Sequence, residues 1–227
     1  MKRDLGVFIP SRGRPENIRQ VCQAFDATDV DCSLLTVIID RDDSEWVNYA
    51  KLADLFGFEL EVHSSTKRGM AEPLNWGVRR FRASFDNFFF MGDDHRPRTK
   101  HWDIDLTHAL MSTGGGIAYG NDLHAGESLP TACAVAGEVV DAIGGMVPEA
   151  FTHLYIDNFW LKLGQDLGKV TYLPDTIIEH CHPFFGKAES DDLYKEINDP
   201  KMYSADKAAF DSYIQSADYQ HLLEVCA

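Results

Sequence analysis

Short apolar runs alternate with segments of mixed polar and apolar residues along most of the chain. This alternation is typical of α/β proteins, in which strands and helices follow each other. The run Leu-Leu-Thr-Val-Ile-Ile suits a strand that is buried on both faces, as in a parallel sheet covered by helices. The apolar runs predict strands over residues 5–10, 33–40, 58–63, 87–91, 116–119 and 170–179.

The segments between these runs place apolar residues at roughly helical spacing. They predict helices over residues 15–25, 44–56, 70–83, 102–112 and 151–164. The tail from Asp191 onward is polar and weakly helical. We therefore expect one Rossmann-like α/β domain over residues 1–190, with a mostly parallel central sheet flanked by helices. A helical tail over residues 191–227 is expected to pack on the same domain.

Composition narrows the class of protein. With 227 residues, 44% of them hydrophobic and 25% charged, the chain is typical of one globular domain. The formal net charge of -15 argues against a broad contact with nucleic acid or an anionic membrane. No apolar run approaches the roughly 18 residues of a membrane span. The five cysteines are scattered and odd in number. We expect reduced thiols and a cytoplasmic location.

Acidic residues cluster where two predicted strands end. In open α/β sheets, ligands bind at the carboxyl ends of the strands. Carboxylates in such a place can hold a divalent cation against a diphosphate, and an imidazole is tolerated by Mn2+. Alternatively, Asp93 and Asp94 cap a turn, since Asp is favoured there. The two clusters are Asp40, Asp42 and Asp43 after the second strand, and Asp93, Asp94 and His95 after the fourth.

Five segments together resemble one family. They are Val7-Phe-Ile-Pro-Ser-Arg12, Ile38-Ile-Asp40, Arg68-Gly-Met-Ala71 with Asn75-Trp-Gly77, Phe90-Met-Gly-Asp-Asp-His-Arg-Pro97, and Gly144-Gly-Met-Val-Pro-Glu149 leading to Ile156-Asp157. In this order they are similar to the motifs of inverting glycosyltransferases of the GT-A fold, of the large family-two type. The compact chain looks like the small members found in bacteria and bacteriophages.

The resemblance implies a role for each matching residue. Asp157 would be the general base that activates the acceptor hydroxyl. Asp94 and His180 would hold Mn2+ or Mg2+ at the donor diphosphate, with His95 as a weaker third ligand. The nucleotide-sugar donor, most commonly a UDP-sugar, would meet Pro10, Ser11, Arg12, Asp40, Arg68, Asn75 and Asp93.

Two positions depart from the family pattern. Gly92 stands where the family has the first metal-binding Asp, and Ile156 stands where it has a Glu before the base. Each match also has a plain structural alternative. Asp157 could be a solvated helix residue, and His180 an ordinary hydrogen-bonded imidazole, as could His182. Arg14 and Lys67 are expected to be surface charges, and Asn121 with Asp122 could meet the sugar or acceptor. Trp76, Trp102 and Trp160 are expected in the core.

Two other functions remain open at this stage. A sugar nucleotidyltransferase uses a similar sheet and acidic ligands, but it usually has a Gly-rich, Lys-containing loop that residues 10–15 do not form. A non-catalytic module that binds a nucleotide-sugar or glycan would explain both departures. For an enzyme, the acceptor would be a glycan, a protein or a modified base in DNA. The sequence leaves the oligomeric state open.

Overall fold

A computed structural model of the chain describes residues 2–30, 33–64, 69–181 and 200–227. The strands are β1 (Arg3–Ser11), β2 (Ser33–Asp40), β3 (Glu59–His63), β4 (Phe85–Phe90), β5 (His95–Pro97), β6 (Ile117–Asn121), β7 (Cys133–Ala136) and β8 (Val170–His180). The helices are α1 (Pro15–Ala27), α2 (Trp46–Phe56), α3 (Ala71–Phe81), α4 (Trp102–Ser112), α5 (Gly137–Ile143), α6 (Ile156–Leu167), α7 (Pro200–Tyr213) and α8 (Ala217–Cys226). A short 3-10 helix covers Gly126–Ser128.

The strands form one mixed sheet in the order β3-β2-β1-β4-β7-β6-β8-β5. Strands β3, β2, β1 and β4 run parallel, as expected from the continuous apolar sequence of β2. Strand β7 runs antiparallel to both β4 and β6, and β8 returns parallel to β6. The predicted α/β fold is confirmed, and its parallel character is strongest in the first half of the sheet.

The core lies on both faces of the central strands. Val7, Phe8 and Ile9 of β1 are fully buried, although their side chains alternate between the faces. Phe8 stacks on Phe88 of β4, with ring centroids 5.7 Å apart. Burial on both faces explains why these strands are continuous apolar runs. It also fixes where their polar ends emerge, and those ends carry the candidate site.

Some elements differ from the prediction. Strands β5 and β7 and helix α5 were not predicted. The helix expected over residues 151–164 begins at Ile156, because Tyr155 has a φ of +62° that a helix cannot continue through. Trp102 and Trp160 are fully buried in the core, as expected, whereas Trp76 is only partly buried.

The C-terminal helices contact the rest of the fold through buried side chains. Tyr219 and Leu222 of α8 belong to the main core, and Asp206 of α7 is 2% exposed. Tyr219 also donates a hydrogen bond of 2.9 Å to Asp166 of α6. Within the described residues, no helix is both long and apolar enough to cross a membrane.

Candidate functional site

The carboxyl ends of β1 and β4 are joined through Asp93. Ser11 Oγ, at the end of β1, donates a 2.6 Å hydrogen bond to Asp93 Oδ2, just beyond β4. Asn17 of α1 donates to Oδ1 at 3.2 Å, and Arg14 Nη1 lies 3.6 Å from the same oxygen. Burial raises the pKa of Asp93, and the adjacent charge of Asp94 raises it further. Both Asp93 oxygens thus have partners within the protein. Asp93 therefore links the end of β4 to the end of β1 and to α1.

Tyr49 of α2 supports the same network and was missed by the sequence analysis. Its hydroxyl accepts from the backbone N–H of Arg14 at 2.8 Å and lies 2.9 Å from Ser11 Oγ. Since the Ser11 proton points to Asp93, Tyr49 donates to Ser11. Tyr49 is fully buried, while most of α2 is exposed. Within α2, Tyr49 is the one fully buried residue, and this becomes visible only once the helix has been placed.

The acidic residues after β2 form ion pairs and a turn. Arg12 Nη1 contacts Asp40 Oδ2 at 2.9 Å, and Arg12 also binds both oxygens of the exposed Asp42. Asp43 accepts backbone N–H bonds from Gly13 and Glu45, each at 2.8 Å. Asp43 therefore stabilises the turn that follows β2. Arg12, which follows β1, is thus ion-paired with carboxylates at the end of β2.

Asp94, His95 and His180 converge on one point and could hold a metal ion. Asp94 Oδ1 lies 3.2 Å from His95 Nδ1, and Asp94 Oδ2 lies 3.3 Å from His180 Nε2. The two imidazole rings stack with centroids 4.1 Å apart. One ligand atom from each residue lies within 4.8 Å of the others. The donor set suits a divalent cation such as Mn2+.

The pairing of β5 with β8 creates this cluster from distant parts of the chain. His95 and His180 are antiparallel partners across the two strands. The backbone N–H of Cys181 donates to the carbonyl of Asp94 at 2.8 Å, and that of His180 donates to the carbonyl of Asp122 at 3.1 Å. The predicted meeting of Asp94, His95 and His180 in space is therefore what the structure shows. Their binding of a metal stays a prediction.

The protonation states of this cluster favour a cation. Burial disfavours the charge on Asp94, but hydrogen bonds with His180 and His95 outweigh it and hold the pKa of Asp94 well below its usual value. Burial lowers the pKa of His95 to about 4, so its ring is neutral near pH 7. An ionised carboxylate and a neutral imidazole are the forms that bind metal ions.

Arg96 clamps the loop that carries the cluster and was also missed. Its guanidinium donates to the carbonyls of Asp93 and His95 at 2.7 and 2.6 Å. A further bond of 3.0 Å reaches Gln20 of α1. Arg96 is 5% exposed, and burial lowers its pKa, although a guanidinium stays protonated in proteins. The clamp ties the loop after β4 to α1.

Asp157 lies in the first turn of α6. Its Oδ1 accepts from the backbone N–H of Asn158 at 2.9 Å. Burial raises the pKa of Asp157, and the nearby charge of His180 partly offsets this. The carboxylate of Asp157 therefore interacts electrostatically with His180 of the Asp-His-His cluster. A carboxylate with a raised pKa is a stronger base than a solvated one.

The segment before Asp157 is held from two sides. Asp206 of α7 accepts backbone N–H bonds from Thr152, His153 and Leu154 at 3.3, 2.9 and 2.7 Å. On the other side, the Ala71 N–H donates to the carbonyl of Thr152 at 3.1 Å. The role of Asp206 could not be found from the sequence, because the contact spans more than fifty residues and follows no motif.

Asn75 has a positioning role in the structure. It is 4% exposed, and its Oδ1 accepts from the backbone N–H groups of Met146 and Val147 at 2.8 and 3.1 Å. Its Nδ2 donates to the carbonyl of Val147 at 2.8 Å. A direct donor contact by Asn75 stays a prediction, as it does for Pro10 in β1. Arg68, Lys67 and His182 lie outside the described residues.

Comparison with solved structures identifies the fold. S. aureus TarS 1-349 in complex with UDP-GlcNAc matches 98% of this chain and 71% of its own, with a TM-score of 0.66 and 12% identity. The mannosyltransferase PcManGT from Pyrobaculum calidifontis, in complex with GDP-Man and Mn2+, matches 100% and 73%, with a TM-score of 0.58 and 12% identity. The glucosyl-3-phosphoglycerate synthase from Mycobacterium tuberculosis, with Mn2+, UDP and glucosyl-3-phosphoglycerate, matches 93% and 79%, with a TM-score of 0.61 and 14% identity.

No protein-family model and no curated protein sequence matches the chain. At these identities, the structural likeness shows the fold and not the activity. The chain has the GT-A fold.

Proposed function

We propose that this chain, as a protein of the GT-A fold, transfers a sugar from a nucleotide-sugar donor to an acceptor hydroxyl with inversion at the anomeric carbon. The observation that carries the proposal is that a cluster able to bind a metal ion and a carboxylate able to act as a base interact with each other. In the metal cluster, Asp94 follows β4, His95 begins β5 and His180 ends β8. The carboxylate of Asp157 interacts electrostatically with His180. Inverting transfer needs a cation beside the leaving diphosphate and a base beside the acceptor.

The donor would lie across the ends of β1, β2 and β4. Solved structures with this fold contain UDP-GlcNAc, GDP-Man or UDP. We expect a UDP-sugar here, with Asp40 near the nucleoside. Ser11, Asp93 and Tyr49 form the buried network beneath that position. The remaining residues proposed to line the donor site are Pro10, Arg12, Arg68 and, through its hold on residues 146–147, Asn75.

In the proposed reaction one bond forms, one bond breaks and one proton is transferred. The acceptor oxygen forms a bond to the anomeric carbon, and the bond from that carbon to the diphosphate oxygen breaks. Asp157 takes the proton of the acceptor hydroxyl, which its raised pKa favours. A divalent ion held by Asp94, His95 and His180 would supply positive charge for the leaving diphosphate. The buried clamp of Arg96 keeps the loop of Asp94 and His95 in place.

The acceptor is proposed from charge. A net charge of -15 disfavours a groove for duplex DNA, because such a groove needs clustered Lys and Arg. Among the three acceptors considered, a glycan or protein hydroxyl fits this charge better than a modified DNA base. A panel of these acceptors, offered with a radiolabelled UDP-sugar, would separate them.

Replacing Asp157 with Asn tests the assignment of the base. Asn keeps the shape and the hydrogen bond to Asn158 but cannot take a proton. We expect transfer and slow donor hydrolysis to fall by about 100-fold or more, as for the loss of a general base. Donor affinity, measured by calorimetry, should stay within about threefold.

Asp54→Asn is the matched control, since Asp54 is an exposed carboxylate on α2 that the proposed site does not include. It should behave as wild type in both assays. An Asp157→Asn variant with wild-type transfer would show that Asp157 is not the base. Donor binding with no transfer or hydrolysis in the wild-type protein would instead favour a non-catalytic binding module.

A further inference from the structure

Strand β3 forms one edge of the sheet. It comes first in the strand order and pairs with β2, and no strand of the described residues lies beyond it. The carbonyl of His63 accepts from the backbone N–H of Arg41 at 2.8 Å, so the backbone groups of His63 point toward β2. These groups alternate in direction from one residue to the next along a strand. The N–H and C=O groups of Leu60 and Val62 therefore point away from β2, toward the outer side of the edge.

The sequence of β3 has few of the features that prevent an edge strand from pairing. Such edges are commonly blocked by Pro, Lys or a β-bulge. Strand β3 contains neither Pro nor Lys, and its register with β2 is continuous. Of its two carboxylates, that of Glu61 accepts from Arg80 Nε at 2.8 Å and is largely covered. The edge is therefore able to pair with another strand.

Exposed apolar side chains accompany this edge. Val62 of β3 is 47% exposed, and helix α2, which contacts β3, leaves Trp46, Val47 and Leu55 exposed. Single exposed apolar residues are ordinary, but here four belong to one strand and the helix beside it. Apolar side chains grouped on one side of a molecule indicate a contact with another protein.

The sequence of β3 is complementary to itself. When two copies run antiparallel about a twofold axis at Glu61, all five residues of the strand are paired. Leu60 then lies opposite Val62 of the second copy, so that two apolar side chains meet and their outward backbone groups exchange hydrogen bonds. Glu59 lies opposite His63 of the second copy. The two Glu61 side chains face each other, and Arg80 of each chain offsets their repulsion.

We propose that two copies of this chain associate by antiparallel pairing of their β3 strands, which joins the two sheets into one. A twofold contact of this kind uses the same surface on both copies. His95 and His180 lie in β5 and β8, at the other end of the sheet. The pairing therefore leaves the metal cluster uncovered, and the inference does not depend on the proposed function.

Sedimentation equilibrium of the full chain tests the association. Over an approximately 100-fold range of concentration, the average mass should rise from the 25.5 kDa of one chain toward twice that value. Val62→Lys places a charge opposite Leu60 of the second copy and should weaken association by about 10-fold or more. Met111→Lys is the control, because Met111 is exposed on α4, which packs against β6 and β8. It should associate like the wild type.

A cysteine at the twofold axis tests the register. Opposite residues at a position without hydrogen bonds have Cα atoms about 4.5 Å apart, which a disulfide spans. Glu61→Cys should therefore become a covalent dimer when it is oxidised with glutathione disulfide. Glu59→Cys is the matched control, because Glu59 lies on the same face and is more exposed. In the proposed register the two Glu59 positions are four residues apart, about 14 Å, so they should not be joined.

The wild type, oxidised in parallel, measures any cross-linking through the native cysteines. A wild-type protein that keeps the mass of one chain at every concentration would overturn the proposal. Equal cross-linking of Glu59→Cys and Glu61→Cys would also overturn it, because random collision would then explain both. Binding of UDP is measured separately, so failure of the association and failure of the proposed transfer are distinguishable.

Discussion

At the residue scale, neighbouring carboxylates have opposite properties. Asp93 is buried among Ser11 and Asn17 with a raised pKa, whereas Asp94 faces two imidazoles and has a pKa well below its usual value. The sequence predicted both as site residues, because they follow a buried strand. It could not separate their tasks, since the partners of each come from distant segments. Tyr49 and Arg96 were missed for the same reason.

The partly buried His153 is expected to make the fold sensitive to acid. Burial lowers the pKa of His153 to about 4, and its Nδ1 has no hydrogen-bond partner among the described residues. An unfolded His titrates near 6.5. Because the pKa of His153 is lower in the folded protein than in the unfolded chain, protonation of His153 favours unfolding. The free energy of unfolding is therefore unaffected by His153 above about pH 6.5 and decreases as the pH falls toward 4. At pH 5 the loss is about 2 kcal/mol.

Urea unfolding at pH 7 and pH 5 measures this contribution. His153→Gln should lose about 2 kcal/mol less than wild type between the two pH values. The control is His221→Gln, whose side chain is 75% exposed, and it should show the wild-type loss. If His153→Gln and wild type lose the same free energy, the protonation of His153 does not limit stability in acid.

At the element scale, the predictions succeeded where an element was long and buried. Strands β1, β2 and β4 were found because both of their faces contact the core. Strand β7 has four residues and β5 has three, which is too few for a periodic pattern. The start of α6 was misplaced because the turn at Tyr155 depends on packing against α7, where Phe210 lies 5.7 Å away between ring centroids.

Helix α7 is expected to stabilise the loop that leads to Asp157. Asp206 is the acceptor for three backbone N–H groups of that loop and is 2% exposed. Asp206→Ala would leave these donors unpaired, so the free energy of unfolding should fall by about 2–4 kcal/mol. Urea unfolding at pH 7 gives this value directly.

The matched control lies on the same helix. Asp211 is exposed and pairs with Lys207 one turn away, so Asp211→Ala should cost about 0.5 kcal/mol or less. A cost for Asp206→Ala as small as that of Asp211→Ala would mean that water replaces the carboxylate, and that α7 does not fix the loop.

At the scale of the whole molecule, the sequence predicted the GT-A fold and the edge of the sheet where the site lies. The fold follows from apolar runs and short motifs that are local in sequence. The antiparallel β7 and the distant β8 are pairings between segments far apart, and no local pattern specifies them. Together they bring His180 beside Asp94. The candidate site therefore depends on the strand pairing that positions His180 as well as on the local motif that contains Asp94.

The most direct test of a metal-assisted donor site is thermal unfolding with nucleotides and nucleotide-sugars, with and without Mn2+. A ligand at 100 times its dissociation constant stabilises the fold by about 2.7 kcal/mol. For a domain of this size, that raises the Tm by about 5–10 °C. We predict such a rise for a UDP-sugar with Mn2+ in the wild type, and its loss in Asp94→Ala. No shift with any nucleotide, or an equal shift in Asp94→Ala with and without Mn2+, would contradict the account.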